Sequence, residues 1–282
     1  MCNAVCDVCF RHCRIPEGGA GFCGGRICKD NRIIAGNYGR ITSLALDPIE
    51  KKPLARFNPG SLILSVGSYG CNLRCPFCQN HSISWSEEAM KLAGKAEYIS
   101  PEKLTGIASG CRDRGNIGVA FTYNEPLIGY EFVRDTARLV HERGMKNVMV
   151  TNGTAEEAVL DELLPYIDAM NIDLKGFSER YYSDLLGGSL KQVLAFIKKA
   201  AAGCHVELTT LIIPGENDSI GEMRELTDWI AALPEGESIP LHISRFFPQF
   251  HMTDRGATDV PHIYSLAEIA REKLRYVYTG NC

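Results

Sequence analysis

Short apolar runs alternating with helical stretches restrict this chain to few folds. The runs near 61–66, 117–122, 146–151, 168–174, 205–213 and 238–244 are rich in Val, Ile and Leu, and each suits a strand buried on both faces. Helical patterns occupy 101–113, 129–143, 155–165, 189–202 and 219–232, and a last helix near 265–274 leads to a candidate short strand at 275–278. Two helix starts carry capping signals: Ser100 before Pro101, and Thr154 three residues ahead of Glu157. Strands separated by helices imply a parallel sheet with right-handed crossovers. Six strands are too few for a closed eight-stranded barrel, so the expected fold is α/β, an open, partial (β/α)6 barrel over 61–282. In such folds chemistry gathers at the carboxyl ends of the strands.

The flanking sequence differs. Residues 1–40 are rich in Cys, Gly and Arg and predict a small Cys-rich metal-binding module. Residues 41–60, with Asp47-Pro48-Ile49-Glu50-Lys51-Lys52-Pro53 and Asn58-Pro59-Gly60, read as an extended connector. A net charge of −4 lacks the basic excess of a free-standing nucleic-acid binder. No apolar run nears the roughly 20 residues that span a bilayer, and Met1–Cys6 has no signal-peptide pattern, so a cytoplasmic location is expected. Twelve cysteines stand out, nine of them within the first 78 residues. A reducing cytosol does not preserve disulfides, so the clustering points to metal ligation. Cys111 and Cys204 stand apart and read as small hydrophobes.

Directly after the first strand, Cys71, Cys75 and Cys78 form C-x3-C-x2-C. A fully protein-bound 4Fe–4S cluster takes four thiolates; three on one loop leave an iron open to a chelating amino acid. The competing reading is a zinc site completed by His81. Four more cysteines, Cys6, Cys9, Cys13 and Cys23, fall within eighteen residues and suit either structural zinc or an auxiliary iron–sulfur cluster, with Cys2 and Cys28 to spare.

The cysteine loop at the end of a first barrel strand resembles the signature of the radical S-adenosylmethionine (SAM) superfamily. The words Asp47-Pro48-Ile49-Glu50-Lys51-Lys52-Pro53-Leu54, Asn58-Pro59-Gly60-Ser61 and Cys78-Gln79-Asn80 resemble the radical SAM members of the AmmeMemoRadiSam system, relatives of pyruvate formate-lyase activating enzymes. The likeness runs from Cys6 to Asn281. It implies an oxidoreductase-type enzyme in which a 4Fe–4S cluster reduces SAM, giving a 5′-deoxyadenosyl radical that abstracts hydrogen from a substrate. It implies an electron donor such as flavodoxin or ferredoxin, and a small-molecule or protein substrate that it does not name. Proteins of this kind often continue past Tyr278-Thr279-Gly280-Asn281 into another cysteine pair. Here Cys282 is the last residue, so a C-terminal metal site is expected to be absent or incomplete.

By the same resemblance the strand ends supply SAM contacts. Phe77 would lie beside the adenine. Glu125 would meet the methionine amino group, with Tyr123 and Asn124 replacing the glycines usual before it. Thr151, Asn152, Asp173, Lys175 and His242 would surround the rest. Each has a plainer reading: Glu125 as a helix-start carboxylate, Asn152-Gly153 as a turn, His242 as a structural histidine. Glu207 and Thr209 would share an inner face, as would His242 and Ser244. Arg245, Phe246, Phe247 and His251 would line a substrate entrance. Two other functions compete: a glycyl-radical activase acting on a protein, and a metal-binding redox sensor without catalysis.

Overall fold

The computed structural model describes residues 3–282. Cys2 and any role for it lie outside these residues. Eight strands form one sheet: β1 (Ser43–Pro48), β2 (Leu62–Gly67), β3 (Asn116–Phe121), β4 (Lys146–Thr151), β5 (Ala169–Asp173), β6 (His205–Ile212), β7 (Leu241–Arg245) and β8 (Val277–Gly280). They lie side by side in chain order, with β2 to β8 parallel. β1 runs antiparallel against β2, pairing Ser43 with Gly67 and Pro48 with Leu62. The six expected strands are all present, and the C-terminal one makes a seventh parallel member.

Crossover helices cover one face of the sheet. The helix Tyr130–Glu142 buries Phe132, Val133, Thr136, Ala137 and Val140, a spacing that places them on one stripe. Ser100 caps the helix Pro101–Gly110, its hydroxyl accepting from Lys103 N at 3.3 Å. The expected capping box at Thr154 does not form. Glu156 is the residue at that helix start, and Thr154 turns its hydroxyl into a buried polar network instead.

The two faces of the sheet differ in character. Leu64, Val66, Val119, Phe121, Met149, Met170, Ile172 and Leu208 belong to the large apolar core. The opposite face holds a small apolar patch of Ile63, Ala120, Val148 and Ala169, and Ile49 and Leu54 pack on it. Residues 49–57 therefore floor the barrel. Glu207 fastens this floor, accepting from the backbone N–H of Ala55 (2.9 Å) and Arg56 (2.7 Å). Asn171 Nδ2 adds a 2.8 Å bond to Pro53 O. Within the stretch expected as an extended connector, 41–60, residues 43–48 form the edge strand β1, Ile49–Lys51 make one 3-10 turn after Pro48, and residues 49–57 pack as a plug.

The N-terminal module has two short antiparallel pairings, Asn3–Val5 with Arg14–Pro16 and Arg26–Lys29 with Arg32–Ala35. It shares the barrel's core: Cys6, Val8, Ile15 and Cys28 join the large apolar cluster. Among the described residues no helix is long and apolar enough to cross a membrane.

Candidate active site

A cavity of about 750 Å³ opens at the carboxyl ends of the strands. Register explains which side chains reach it. Asp173 on β5 sits opposite Thr209 on β6, Thr209 opposite His242 on β7, and His242 opposite Tyr278 on β8. Side chains on one row of a sheet face one way, so all four line the cavity. The loop after β2 brings Cys71, Cys75, Phe77 and Cys78 to the same space, and Asn124, Glu125, Thr151, Asn152 and Lys175 complete the sequence-derived set.

The three thiols are free. Burial pushes the Cys75 thiol up to about 11, and burial with the nearby Glu125 raises Cys71 well above its ordinary value. Metal binding would draw those protons off, since thiolate is the ligating form. Leu73 N donates to Cys71 Sγ at 3.4 Å, and Asn152 Nδ2 approaches the same sulfur at 3.8 Å. His81 does not join the thiols: its ring is stacked on Phe250 at 4.1 Å between centroids. Among the described residues no three His, Cys, Asp or Glu side chains are grouped to hold a single metal ion. Three thiols facing one cavity, each free to bind a different iron, fit a cluster with one open corner better than zinc completed by His81.

Glu125 is buried and caps the short 3-10 turn Pro126–Gly129. Its Oε1 accepts from Leu127 N (3.0 Å) and Thr151 Oγ1 (2.7 Å), and its Oε2 from Asn152 N (2.8 Å). Burial outweighs these bonds and lifts its carboxyl to about 7. The plain capping reading therefore holds together with a place on the cavity wall. Thr151 reaches the site through Glu125. Asn152 belongs to a closed ring: its Nδ2 donates to Asn72 Oδ1 (3.0 Å), Asn72 Nδ2 to Thr154 Oγ1 (2.8 Å), and Thr154 Oγ1 to Asn152 Oδ1 (2.5 Å). Asn124 braces the loop backbone, accepting from Ser68 N at 2.9 Å and donating to the Tyr69 and Gly70 carbonyls at 3.2 Å each.

Lys175 and Asp173 pair at 2.7 Å on the cavity wall. Burial would lower the Lys175 ammonium, but Asp173 and Cys75 hold it well above its ordinary value. His242 Nε2 donates to Glu207 at 2.7 Å, and the ring stacks on Tyr278 at 5.1 Å. Glu207 shares the inner face with Thr209, as expected, but lies below the lining residues, where it ties His205, His242 and the floor together. Burial opposes its charge, yet the two histidines and two backbone N–H groups hold its carboxyl at about 2. Arg245, Phe246, Phe247 and His251 are not among the lining residues. Phe246 is a core residue, while the Phe247 ring lies beneath the Arg245 guanidinium at 4.7 Å.

Sequence reasoning missed a second polar group on the wall. Lys52, almost fully buried, pairs with Asp47 at 2.9 Å, and Tyr123 OH donates to the same carboxylate at 2.8 Å. Tyr123 adopts φ +75° and its ring covers Gly67, where a Cβ would meet it at 2.8 Å. The signal was a second lysine between Ile49 and Leu54, both of which need burial, five residues after an aspartate that can pair with it.

Cys6, Cys9, Cys13 and Cys23 line a separate small cavity of about 10 Å³ in the N-terminal module. Burial raises Cys9 to about 11. Cys28 is buried elsewhere in the module, its thiol 3.6 Å from Glu17, and Cys282 is exposed. Cys111 and Cys204 are only half-buried.

An open parallel barrel with three thiols and paired charges at its carboxyl rim can take a metal centre and a charged ligand side by side. A model of the radical SAM superfamily matches residues 65–228, and the chain belongs to that superfamily. Its members use a 4Fe–4S cluster and SAM. The chain is 40% identical over 281 residues to Uncharacterized protein MJ0808 of Methanocaldococcus jannaschii, covering 98% of this chain and 80% of that one. It is 27% identical over 188 residues to the pyruvate formate-lyase 1-activating enzyme of Escherichia coli, covering 61% and 71% respectively. The crystal structure of Streptococcus suis SuiB bound to S-adenosylmethionine shares the fold, with a TM-score of 0.59 at 16% identity, covering 79% of this chain and 52% of that one. The chain therefore spans about half of SuiB.

Proposed function

We propose that this protein is a radical SAM enzyme whose 4Fe–4S cluster is held by Cys71, Cys75 and Cys78. The observation that carries the reading is the placement of three free thiols from one loop on the cavity that also presents Glu125, Asp173 and Lys175. When bound, the cluster supplies the electron that cleaves SAM to methionine and a hydrogen-abstracting 5′-deoxyadenosyl radical.

The chain's own residues bind and orient SAM. The Glu125 and Asp173 carboxylates suit its ammonium group, and Lys175 suits its carboxylate through a charge-assisted bond. Exchanging the Lys175–Asp173 pair for these two contacts keeps both charges compensated. Phe77, buried at the cavity edge, offers an apolar face for the adenine. Thr151 and Asn152 hold Glu125, and Asn124 braces the thiol loop, through the bonds described above; His242, anchored on Glu207, faces the same cavity and is proposed to contact SAM directly. An electron donor of the flavodoxin or ferredoxin kind would serve it in the cytoplasm. The words around the cysteine loop support membership in the AmmeMemoRadiSam group. Likeness to the E. coli activating enzyme favours a second reading, a glycyl-radical activase acting on a protein. The four N-terminal thiols are proposed to hold a second metal, zinc or an iron–sulfur centre, in a module (1–40) attached to the barrel (61–282).

Anaerobically reconstituted, dithionite-reduced protein is expected to convert SAM to 5′-deoxyadenosine, measured by liquid chromatography. Cys75→Ala is expected to abolish this. A wild type that loads iron but never cleaves SAM would defeat the proposal. A partner-borne glycyl radical seen by electron paramagnetic resonance would select the activase reading.

A further inference from the structure

Phe22 of the N-terminal module is held between two guanidinium groups. The Arg11 carbon lies 3.4 Å from the ring centroid and the Arg74 carbon 3.8 Å. Two planar cations so close to one centroid must lie on opposite faces of the ring. Arg74 sits inside the thiol loop. Its Nη1 donates to the carbonyls of Cys71 (2.7 Å) and Leu73 (2.9 Å), and its Nη2 to Phe22 O. Arg11 Nε donates to Asn72 O at 2.8 Å, and its Nη2 to Gly187 O. The same corner delivers Cys23 O to Cys71 N at 3.2 Å.

Every hydrogen bond of these guanidiniums goes to a neutral carbonyl. Among the described residues neither arginine pairs with a carboxylate. Partly buried cations without counter-charge are costly. The groups of latent negative charge around them are thiols: Cys71, Cys23 and Cys75 for Arg74, and Cys9, Cys13, Cys71 and Cys23 for Arg11.

We propose that Arg74 and Arg11 are positioning residues that set the reduction potential of the cluster on Cys71, Cys75 and Cys78, Arg11 being supplied by the N-terminal module. This rests on the assignment of the cluster to those thiols. A cluster that accepts one electron gains one negative charge. Cations fixed behind its ligands stabilise that form and raise the potential. The module thereby contributes charge to a site it does not line.

The test is a redox titration of the full-length reconstituted protein, with dithionite as one-electron reductant and the cluster signal followed by electron paramagnetic resonance. Arg74→Gln and Arg11→Gln keep an N–H donor without charge, whereas Arg74→Lys keeps charge without the planar fork. Both glutamine variants are expected to load iron as the wild type does and to titrate at more negative potential, with Arg74→Lys close to wild type. Glutamine variants that titrate with the wild type overturn the proposal. So does a lysine variant shifted as far as glutamine, or glutamine variants that fail to hold iron, because the arginines would then be mechanical braces alone. A wild type that binds no iron at these thiols overturns the underlying cluster assignment instead.

Discussion

Glu125 combines a cap, a cavity wall and an unusual proton affinity. Its carboxyl, lifted to about 7 by burial, is protonated more readily in the folded chain than in the unfolded one, where a glutamate titrates near about 4.3. The group therefore favours the folded state most fully below about 4.3, and that contribution disappears as pH rises through about 7. Metal-free protein is expected to melt at lower temperature at pH 8 than at pH 6 for this reason. Calorimetry on Glu125→Gln should show that component of the pH dependence removed. A bound ammonium beside Glu125 reverses the preference, so SAM should bind more tightly as pH rises over the same interval. Glu125 was readable in the sequence because a carboxylate directly after an apolar strand stands at the chemical rim. Its bonds to Thr151 and Asn152 were not readable, since they depend on how closely β3 and β4 approach at their ends.

At the scale of elements, the parallel strands were read correctly because runs such as 146–151 are apolar on both faces, which periodicity reports directly. The floor was not. Ile49 and Leu54 are isolated apolar residues among prolines and charges, and only the third dimension shows that they complete a patch with Ile63, Ala120, Val148 and Ala169. His242 was expected to touch the cofactor; its firmest bond goes to Glu207, which no local pattern connects to Ala55 and Arg56. Glu207→Gln would strip charge from a carboxylate serving two histidines and two backbone donors. It should destabilise the protein by about 3 kcal/mol in urea denaturation. The wild-type contribution is present above about 4.3 and fades as pH falls toward about 2, so the gap between the two proteins should narrow in acid.

At the scale of the molecule, two thiol-bearing regions meet along one seam. Val8 O accepts from Glu156 N at 2.9 Å, Cys23 O from Cys71 N, and the module's apolar residues enter the barrel core. Residues 1–40 read in the sequence as a Cys-rich metal-binding module. Their apolar residues also take a share of the barrel core, which no local pattern reveals. Removing metal from the holoprotein with a chelator should therefore loosen the module without unfolding the sheet. Limited proteolysis, read by mass spectrometry, is expected to cut first within residues 6–30 and leave the barrel fragment intact. Simultaneous loss of both regions would show that they unfold as one unit.

Residues 49–57 seal the amino-terminal side of the strands, which gives the chamber a blind end. A ligand in the chamber therefore rests against this plug and faces solvent from the rim side, where the cavity lies.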